Sequence, residues 1–304
     1  MSAMPLPPIR DTQPRPVAPV EGLAPGTAQD WLGWAARELE AHSDSAQADA
    51  EVLLAALLQT PRSQLRGALE QPLSAALVLR YAAQVERRRQ GEPVAYLSGR
   101  QGFWTLDLQV DNGVLIPRPD TETLVEWALQ WARDLAAPRL LDLGTGSGAI
   151  ALALADGLRQ RTPAVWATDV SPAALRIARD NARELQLPVE FREGSWFEAL
   201  ESGVSPFDLI VSNPPYVAAD DPHLPDLRYE PRLALTAGVD GLDAIRDILC
   251  DAATWLKPGG LLLLEHGCDQ AAAVRALLNQ TGFAGVQTRR DLGGRERVSG
   301  GLRP

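Results

Sequence analysis

At 304 residues and 45% hydrophobic, the chain is long enough to bury one full α/β domain and a smaller companion. Its 39 acidic against 29 basic residues give a formal net charge of −10, a poor balance for gripping a phosphate backbone unaided, although a local basic patch can survive inside an acidic total. Two cysteines, Cys250 and Cys268, are too few and too far apart for a metal site or a disulfide framework, so no metal and a reducing compartment are expected. His42, His223 and His266 share no ligand spacing and are expected to be structural or on the surface. No apolar stretch approaches the ~20 residues of a membrane span, and the amino terminus lacks the apolar run of a signal peptide. A cytoplasmic protein away from membranes is expected.

Prolines at positions 5, 7, 8, 14, 16, 19 and 25 mark residues 1–26 as a flexible tail that cannot bury a core. From 27 to 92 the pattern is helical: Trp31, Trp34, Ala35 and Leu39 recur at helix spacing, followed by Ala50 to Leu58 and Leu73 to Arg89. Helices this short persist by packing on one another, which predicts a small bundle. The run Arg87-Arg88-Arg89 suits a solvated helix end facing the macrodipole, with nucleic-acid contact as the alternative. Residues 93–113 read as a hairpin linker with Gly99 and Gly102 near its turn. Residues 114–304 then form the main domain. Its first helix, carrying Leu124, Val125, Ala128, Leu129 and Ala132, is expected to be capped by Asp120 or Thr121.

From Arg139 onward strands and helices alternate: strand 139–143, helix 147–157, strand 164–169, helix 172–186, strands 188–192 and 207–212, helix 241–256, strand 261–265, helix 269–281. This predicts a doubly wound, mostly parallel sheet. Val286 to Arg290 and Glu296 to Ser299, joined through Gly293-Gly294, look like a closing antiparallel pair.

Chemistry enters at the strand ends. Leu140 to Ile150 reads as a buried strand, a glycine-rich turn and an apolar helix, and Gly144, Gly146 and Gly148 let the backbone approach a ligand at the carboxyl end of a strand. The dinucleotide fingerprint G-x-G-x-x-G is not met, because the third glycine falls one residue early. Strand 164–168 ends in Asp169, at a suitable distance for a carboxylate that binds ribose hydroxyls. A helix cap is its alternative role, which Ser171 before Pro172 fills better.

Directly after Phe207 to Val211 stands Asn213-Pro214-Pro215-Tyr216. A planar NH2 group is a poor nucleophile because its lone pair is delocalised, and two acceptors that draw on its two N–H donors push it toward tetrahedral geometry. The Asn213 side-chain carbonyl and the Pro214 backbone carbonyl can be those acceptors, and Tyr216 offers a flat face to a planar group. The plainer alternative is a turn that ends a strand. Glycine loop, ribose acid and this tetrapeptide, in that order, describe an S-adenosyl-L-methionine-dependent amino-group methyltransferase.

The segments DLGTGSGAIALALA, ATDVSPAAL, FDLIVSNPPYV, EPRLAL, LKPGGLLLLEHG and VLIPRPDTETLVEWAL make the chain, over roughly residues 30 to 301, similar to the bacterial release factor glutamine methyltransferases. The resemblance implies a class I methyltransferase sheet with a small N-terminal helical bundle that docks the protein partner. It implies S-adenosyl-L-methionine as cofactor and, as substrate, the Gly-Gly-Gln glutamine of peptide chain release factors. A monomer with no direct nucleic-acid partner is expected. Carried onto this sequence, Gly144, Thr145, Gly146, Ser147, Gly148, Asp169, Trp196 and Asn213 would line the cofactor. Asn213, Pro214, Pro215 and Tyr216 would bind the glutamine amide, with Asn213, Pro214 and Tyr216 as the catalytic set, and Phe103 and Glu122 would complete the substrate pocket. Ser195 departs from the pattern, standing where an acidic residue that accepts from adenine is common. Two other functions remain open at this point: an adenine amino-group methyltransferase acting on DNA or RNA, and a non-catalytic adaptor for release factors.

Overall fold

The computed structural model describes residues 26–304; the proline-rich segment expected as a tail lies, apart from Gly26, outside the described residues. The chain divides into two compact units, one ending at Ser98 and the other running from Gly99 to Pro304.

The first unit packs helices α1 (Ala28–Leu39), α2 (Ala46–Leu57), α3 (Ala75–Arg89) and α4 (Val94–Ser98). Thr27 and Asp30 form a reciprocal capping box that starts α1. Trp31, Leu39, Leu53, Leu54, Tyr81 and Val85 make the apolar core, and the Tyr81 hydroxyl donates to the Ala50 carbonyl at 2.8 Å, satisfying the one polar atom that the ring takes inside. The arginine run at the end of α3 engages carboxylates of its own unit: Arg87 with Glu92, Arg88 with Asp49, and Arg89 with Glu86. Residues 94–98, expected inside a hairpin, are helical instead. Pro93 offers its carbonyl to the Tyr96 and Leu97 amides, and Gly99, at φ +74, closes the turn, so this proline and glycine punctuate a helix rather than a strand turn.

The second unit opens with the hairpin of β1 (Arg100–Phe103) and β2 (Leu106–Gln109), whose turn is Trp104-Thr105 rather than a glycine. A 3₁₀ turn, Pro119–Thr121, leads into α5 (Glu122–Ala132). There follow β3 (Arg139–Leu143), α6 (Ala149–Gly157), β4 (Ala164–Asp169), α7 (Pro172–Leu185), β5 (Glu190–Glu193), β6 (Phe207–Ser212), α8 (Asp243–Trp255), β7 (Leu256–Glu265), α9 (Ala271–Gln280), β8 (Ala284–Arg290) and β9 (Glu296–Leu302). The seven-stranded sheet has the order β5-β4-β3-β6-β7-β9-β8, parallel from β5 to β7, with β9 antiparallel to both its neighbours. This is the doubly wound sheet with a closing antiparallel strand that the alternation predicts.

The central strands are apolar on both faces because helices cover both. Leu140, Leu209, Val211 and Leu263 join the core with α5 and α6, while Leu141, Leu143, Ile210, Leu262 and Leu264 join the core with α8 and α9. Strand β7 begins five residues earlier than the expected 261, because Lys257 to Gly260 form a bulge carried within the strand. Strand order reverses between β3 and β6, which leaves a crevice beyond their carboxyl ends, the position where open α/β sheets bind ligands. Among the described residues no helix is long and apolar enough to cross a membrane.

Candidate active site

A cavity of about 440 Å³ occupies that crevice. Gly144 to Ser147 after β3, Asp169 to Ser171 after β4, Gly194 to Trp196 after β5, and Asn213 and Pro215 after β6 all line it, with Thr121 and the segment from Pro231 to Ala237 closing the other side.

The glycine loop is braced from beneath by side chains and strand backbone. Gly144 and Thr145 donate their amides to the Thr168 carbonyl at 2.9 Å each, and the Thr145 hydroxyl donates to Asp142 at 2.6 Å. Asp142 also accepts from the Ala151 amide at 3.2 Å, which fixes the start of α6 where Gly148, at φ +85, offers no side chain to cap it. Burial raises the Asp142 carboxyl to about 7, against the lowering effect of those two hydrogen bonds. On α7, Asn181 is 1% exposed and donates to the Ser147 carbonyl at 2.9 Å.

Asp169 stands at the cavity with both oxygens engaged: Oδ2 accepts from the Gly146 amide and Oδ1 from the Ser171 amide, each at 2.8 Å. Each oxygen retains a lone pair for a further donor. Burial raises its pKa, and the hydrogen bonds from Ser171 and Gly146 work in the other direction. Ser171 caps α7 by accepting from the Ala174 amide, as its place before Pro172 predicts. Trp196 adopts φ +46 and lies against Gly144, where an added Cβ would stand 3.2 Å from the ring. Only a glycine lets this ring and the loop meet so closely. Ser195 joins Trp196 on the cavity wall.

Asn213 and Pro215 line the cavity, whereas Pro214 is buried and Tyr216 is half-buried off the lining. The Asn213 side-chain amide donates through Nδ2 to the Thr121 hydroxyl at 3.2 Å. Thr121 therefore does not act as the expected helix cap; its backbone already has helical angles, φ −64 and ψ −21, and its side chain makes no cap hydrogen bond. Burial pushes the Tyr216 phenol well above its ordinary range, with the charge of Glu265 as the next cause.

Phe103 and Glu122 are not brought to the cavity lining. Phe103 is 2% exposed within the apolar core, and Glu122 accepts from the Trp104 amide at 2.9 Å, holding the hairpin turn against the start of α5. An aromatic after a glycine and an acid at a helix start suit these structural duties as well as a substrate contact. Thr121 and the Pro231 to Ala237 segment line the cavity, although the sequence singles out neither as a site feature. That segment is held by Glu230, which is 6% exposed, accepts from the Ile116 amide at 3.1 Å and pairs with Arg118. The segment EPRLAL is the sequence signal for this wall, and it carries no chemistry that can be read alone.

The donor set fits S-adenosyl-L-methionine. Glycine backbone from Gly144 to Gly146, the Asp169 carboxylate with its spare lone pairs, and Trp196, Val170 and Ala174 all stand among the lining of this one cavity.

Residues 30–99 match the family model described as the PrmC N-terminal domain, and residues 136–289 match a methyltransferase domain. The chain is 51% identical over 265 residues to the release factor glutamine methyltransferase of Burkholderia pseudomallei (strain K96243), covering 84% of this chain and 92% of that protein. It is 52% identical over 261 residues to the protein of the same name from Pseudomonas aeruginosa (84% and 92%), and 46% over 277 residues to that of Salmonella typhimurium (90% and 98%). Among solved structures, a methyltransferase from Pyrococcus furiosus superposes with a TM-score of 0.50 at 17% identity, over 73% of this chain and 96% of that one, a likeness of fold alone.

Proposed function

This chain belongs to the release factor glutamine methyltransferases, and from that premise we propose that it methylates the side-chain amide nitrogen of the Gly-Gly-Gln glutamine in peptide chain release factors, using S-adenosyl-L-methionine. When bound, the cofactor supplies an electrophilic methyl carbon. The residues do the rest. Gly144 to Gly148 hold the cofactor's methionine end by backbone contact, Asp169 accepts from ribose hydroxyls, and Trp196 flanks the base. Asn213 Oδ1 and the Pro214 carbonyl accept the two N–H bonds of the substrate amide. These bonds orient the nitrogen in line with the methyl carbon and favour the positive charge that develops on it, so no general base is needed before attack. Pro215 gives the amide an apolar wall, and Tyr216 supports the loop from behind.

The single observation that carries this reading is the placement of Asn213 on the same cavity wall as the glycine loop, with its amide nitrogen bonded to Thr121 and its oxygen bonded to none of the described residues. We assign docking of the release factor to the N-terminal helical unit, and place the monomer in the cytoplasm with the translation machinery. A nucleic-acid substrate fits less well, since the one arginine run is engaged by Glu92, Asp49 and Glu86.

The test is an Asn213 series assayed on purified release factor. Asn213→Ala removes an acceptor needed most in the transition state, so kcat should fall about 100-fold or more while the KM for release factor changes little. Asn213→Asp, which keeps an acceptor of similar shape, should retain partial activity. Near-normal turnover by a folded Ala variant would refute the assigned role.

A further inference from the structure

The tetrapeptide at 213–216 leaves the end of β6 with two prolines in its middle, and a proline has no N–H with which to tie a loop to its surroundings. Its carbonyls are therefore aimed from the two ends. At the first end β6 is paired into the sheet, and the buried Ser212 hydroxyl donates to the Leu143 carbonyl at 2.7 Å. At the second end Val217 bridges Thr236 in parallel, with the Val217 amide on the Leu235 carbonyl at 2.8 Å and the Ala237 amide on the Val217 carbonyl at 3.0 Å. The carbonyl of Tyr216, the last residue of the tetrapeptide, is met by a side chain from beyond β7.

That side chain belongs to the half-buried Gln270. Its Nε2 donates to the Tyr216 carbonyl at 3.0 Å and to the Asp240 carbonyl at 3.1 Å, while its Oε1 accepts from the Gly267 amide at 2.8 Å. Two carbonyls at one end and an N–H at the other fix which end of the amide is nitrogen. Gln270 stands at the N-cap of α9, yet its side chain makes no cap hydrogen bond, and glutamine is not among the residue types preferred there. Helix capping does not account for it. The backbone opposite is shaped to the same contact: at Gly241, φ +72, an added Cβ would collide with the Tyr216 carbonyl oxygen and stand 2.7 Å from Gln270 Nε2. Only a glycine leaves room for this bond.

We propose that Gln270 is a positioning residue for methyl transfer: by holding the Tyr216 carbonyl it fixes the far end of the tetrapeptide, and with it the aim of the Pro214 carbonyl at the substrate N–H. The proposal rests on the preceding reading, in which Asn213 and Pro214 accept from the substrate amide. Between the Pro214 and Tyr216 carbonyls Pro215 has its φ locked, so few soft torsions are left to absorb a movement of one without the other. Hydrogen bonds weaken steeply as their angle closes, and a turned Pro214 carbonyl loses acceptor strength where positive charge develops. Gln270 does not itself line the cavity, so cofactor binding is spared.

The experiment compares full-length wild type, Gln270→Met and Gln270→Glu with labelled S-adenosyl-L-methionine and purified release factor. Gln270→Met keeps the length of the side chain and loses both hydrogen-bonding ends, so kcat should fall about 10- to 100-fold while the cofactor Kd and the KM for release factor stay within about twofold. Gln270→Glu keeps the oxygen that accepts from Gly267 but turns a second oxygen on two carbonyls. As a carboxylate it should be no better than Met; protonated, it regains one O–H donor for the Tyr216 carbonyl. Those carbonyls, with the carboxylates of Asp240 and the preceding Asp269, favour the protonated form, and Arg246, which pairs with Asp240, opposes it. The ratio of Glu-variant to wild-type kcat should therefore climb about tenfold from about pH 8 to about pH 5.5, while the Met ratio stays flat. A side chain that only packs gives no such rescue. Wild-type kcat in a folded Met variant would overturn the proposal, as would a cofactor Kd that weakens in step with kcat. If the Met variant does not fold, the Glu ratio decides alone, and a flat ratio overturns the proposal. A wild-type enzyme inactive on release factor would instead overturn the functional reading beneath it.

Discussion

Asp169 joins the end of β4 to the glycine loop, one oxygen on the Gly146 amide and the other on the Ser171 amide, and each oxygen keeps a lone pair for a further donor. In the proposed function a ribose hydroxyl donates to this prearranged carboxylate, a charge-assisted bond worth about 1.5–3 kcal/mol. Asp169→Ala should weaken cofactor binding by that amount in calorimetry. The melting temperature should move little, because losing two backbone hydrogen bonds is offset by removing a carboxylate whose charged form burial disfavours. Unchanged cofactor affinity in the folded variant would remove Asp169 from the binding site. Asp169 and the Asn213 tetrapeptide could be picked out from sequence because each follows directly on a predicted strand, where open α/β sheets bind ligands, whereas Trp196 entered only through the family resemblance. Glu265 also ends a strand, but nothing in its local pattern distinguishes a buried acid from an exposed one. Thr121 was legible only as a cap, since inward orientation depends on a 3₁₀ turn whose presence no spacing announces.

Helix α7, the hairpin and the glycine loop converge on one side chain. Asn181 Oδ1 accepts from the Gln109 amide at 2.7 Å, and its Nδ2 donates to the Gln109 carbonyl at 3.0 Å and the Ser147 carbonyl at 2.9 Å. The amide thus completes the edge of β2 as another strand would, while pinning the loop that faces the cavity. Asn181→Ala should lower the unfolding free energy by about 2–3 kcal/mol, since it leaves buried donors and acceptors unmet on two elements, and should weaken cofactor binding as well. Asn181→Asp should not rescue it, because a carboxylate would confront the two carbonyls. Urea denaturation with and without cofactor reads both effects, and a fully stable Ala variant would show that the three elements are held by other contacts. Helix periodicity showed which face of α7 is buried but not that one polar residue on that face carries a tertiary duty. The same limit explains residues 94–98: a proline and a glycine punctuate helix and hairpin alike, and only the carbonyl of Pro93 engaging Tyr96 and Leu97 decides between them.

At the scale of the molecule, the doubly wound sheet and its closing strands followed from alternation alone, because a strand buried on both faces and a helix with one apolar face leave different patterns. The placement of Thr121 and the Pro231 to Ala237 wall did not, since they reach the cavity from segments 15 or more residues away from the tetrapeptide. A charge of −10 and a bundle whose Arg87-Arg88-Arg89 run pairs with its own carboxylates suit the proposed protein partner better than a nucleic acid. The most direct test is to locate the transferred methyl group. Purified release factor and a nucleic-acid competitor are incubated together with the full chain and labelled S-adenosyl-L-methionine, and the products are mapped by tandem mass spectrometry. We predict a methyl group on the side-chain amide of the Gly-Gly-Gln glutamine, absent when Asn213→Ala replaces wild type. A methyl group on any other residue, or on adenine with the release factor left unmodified, would contradict the account.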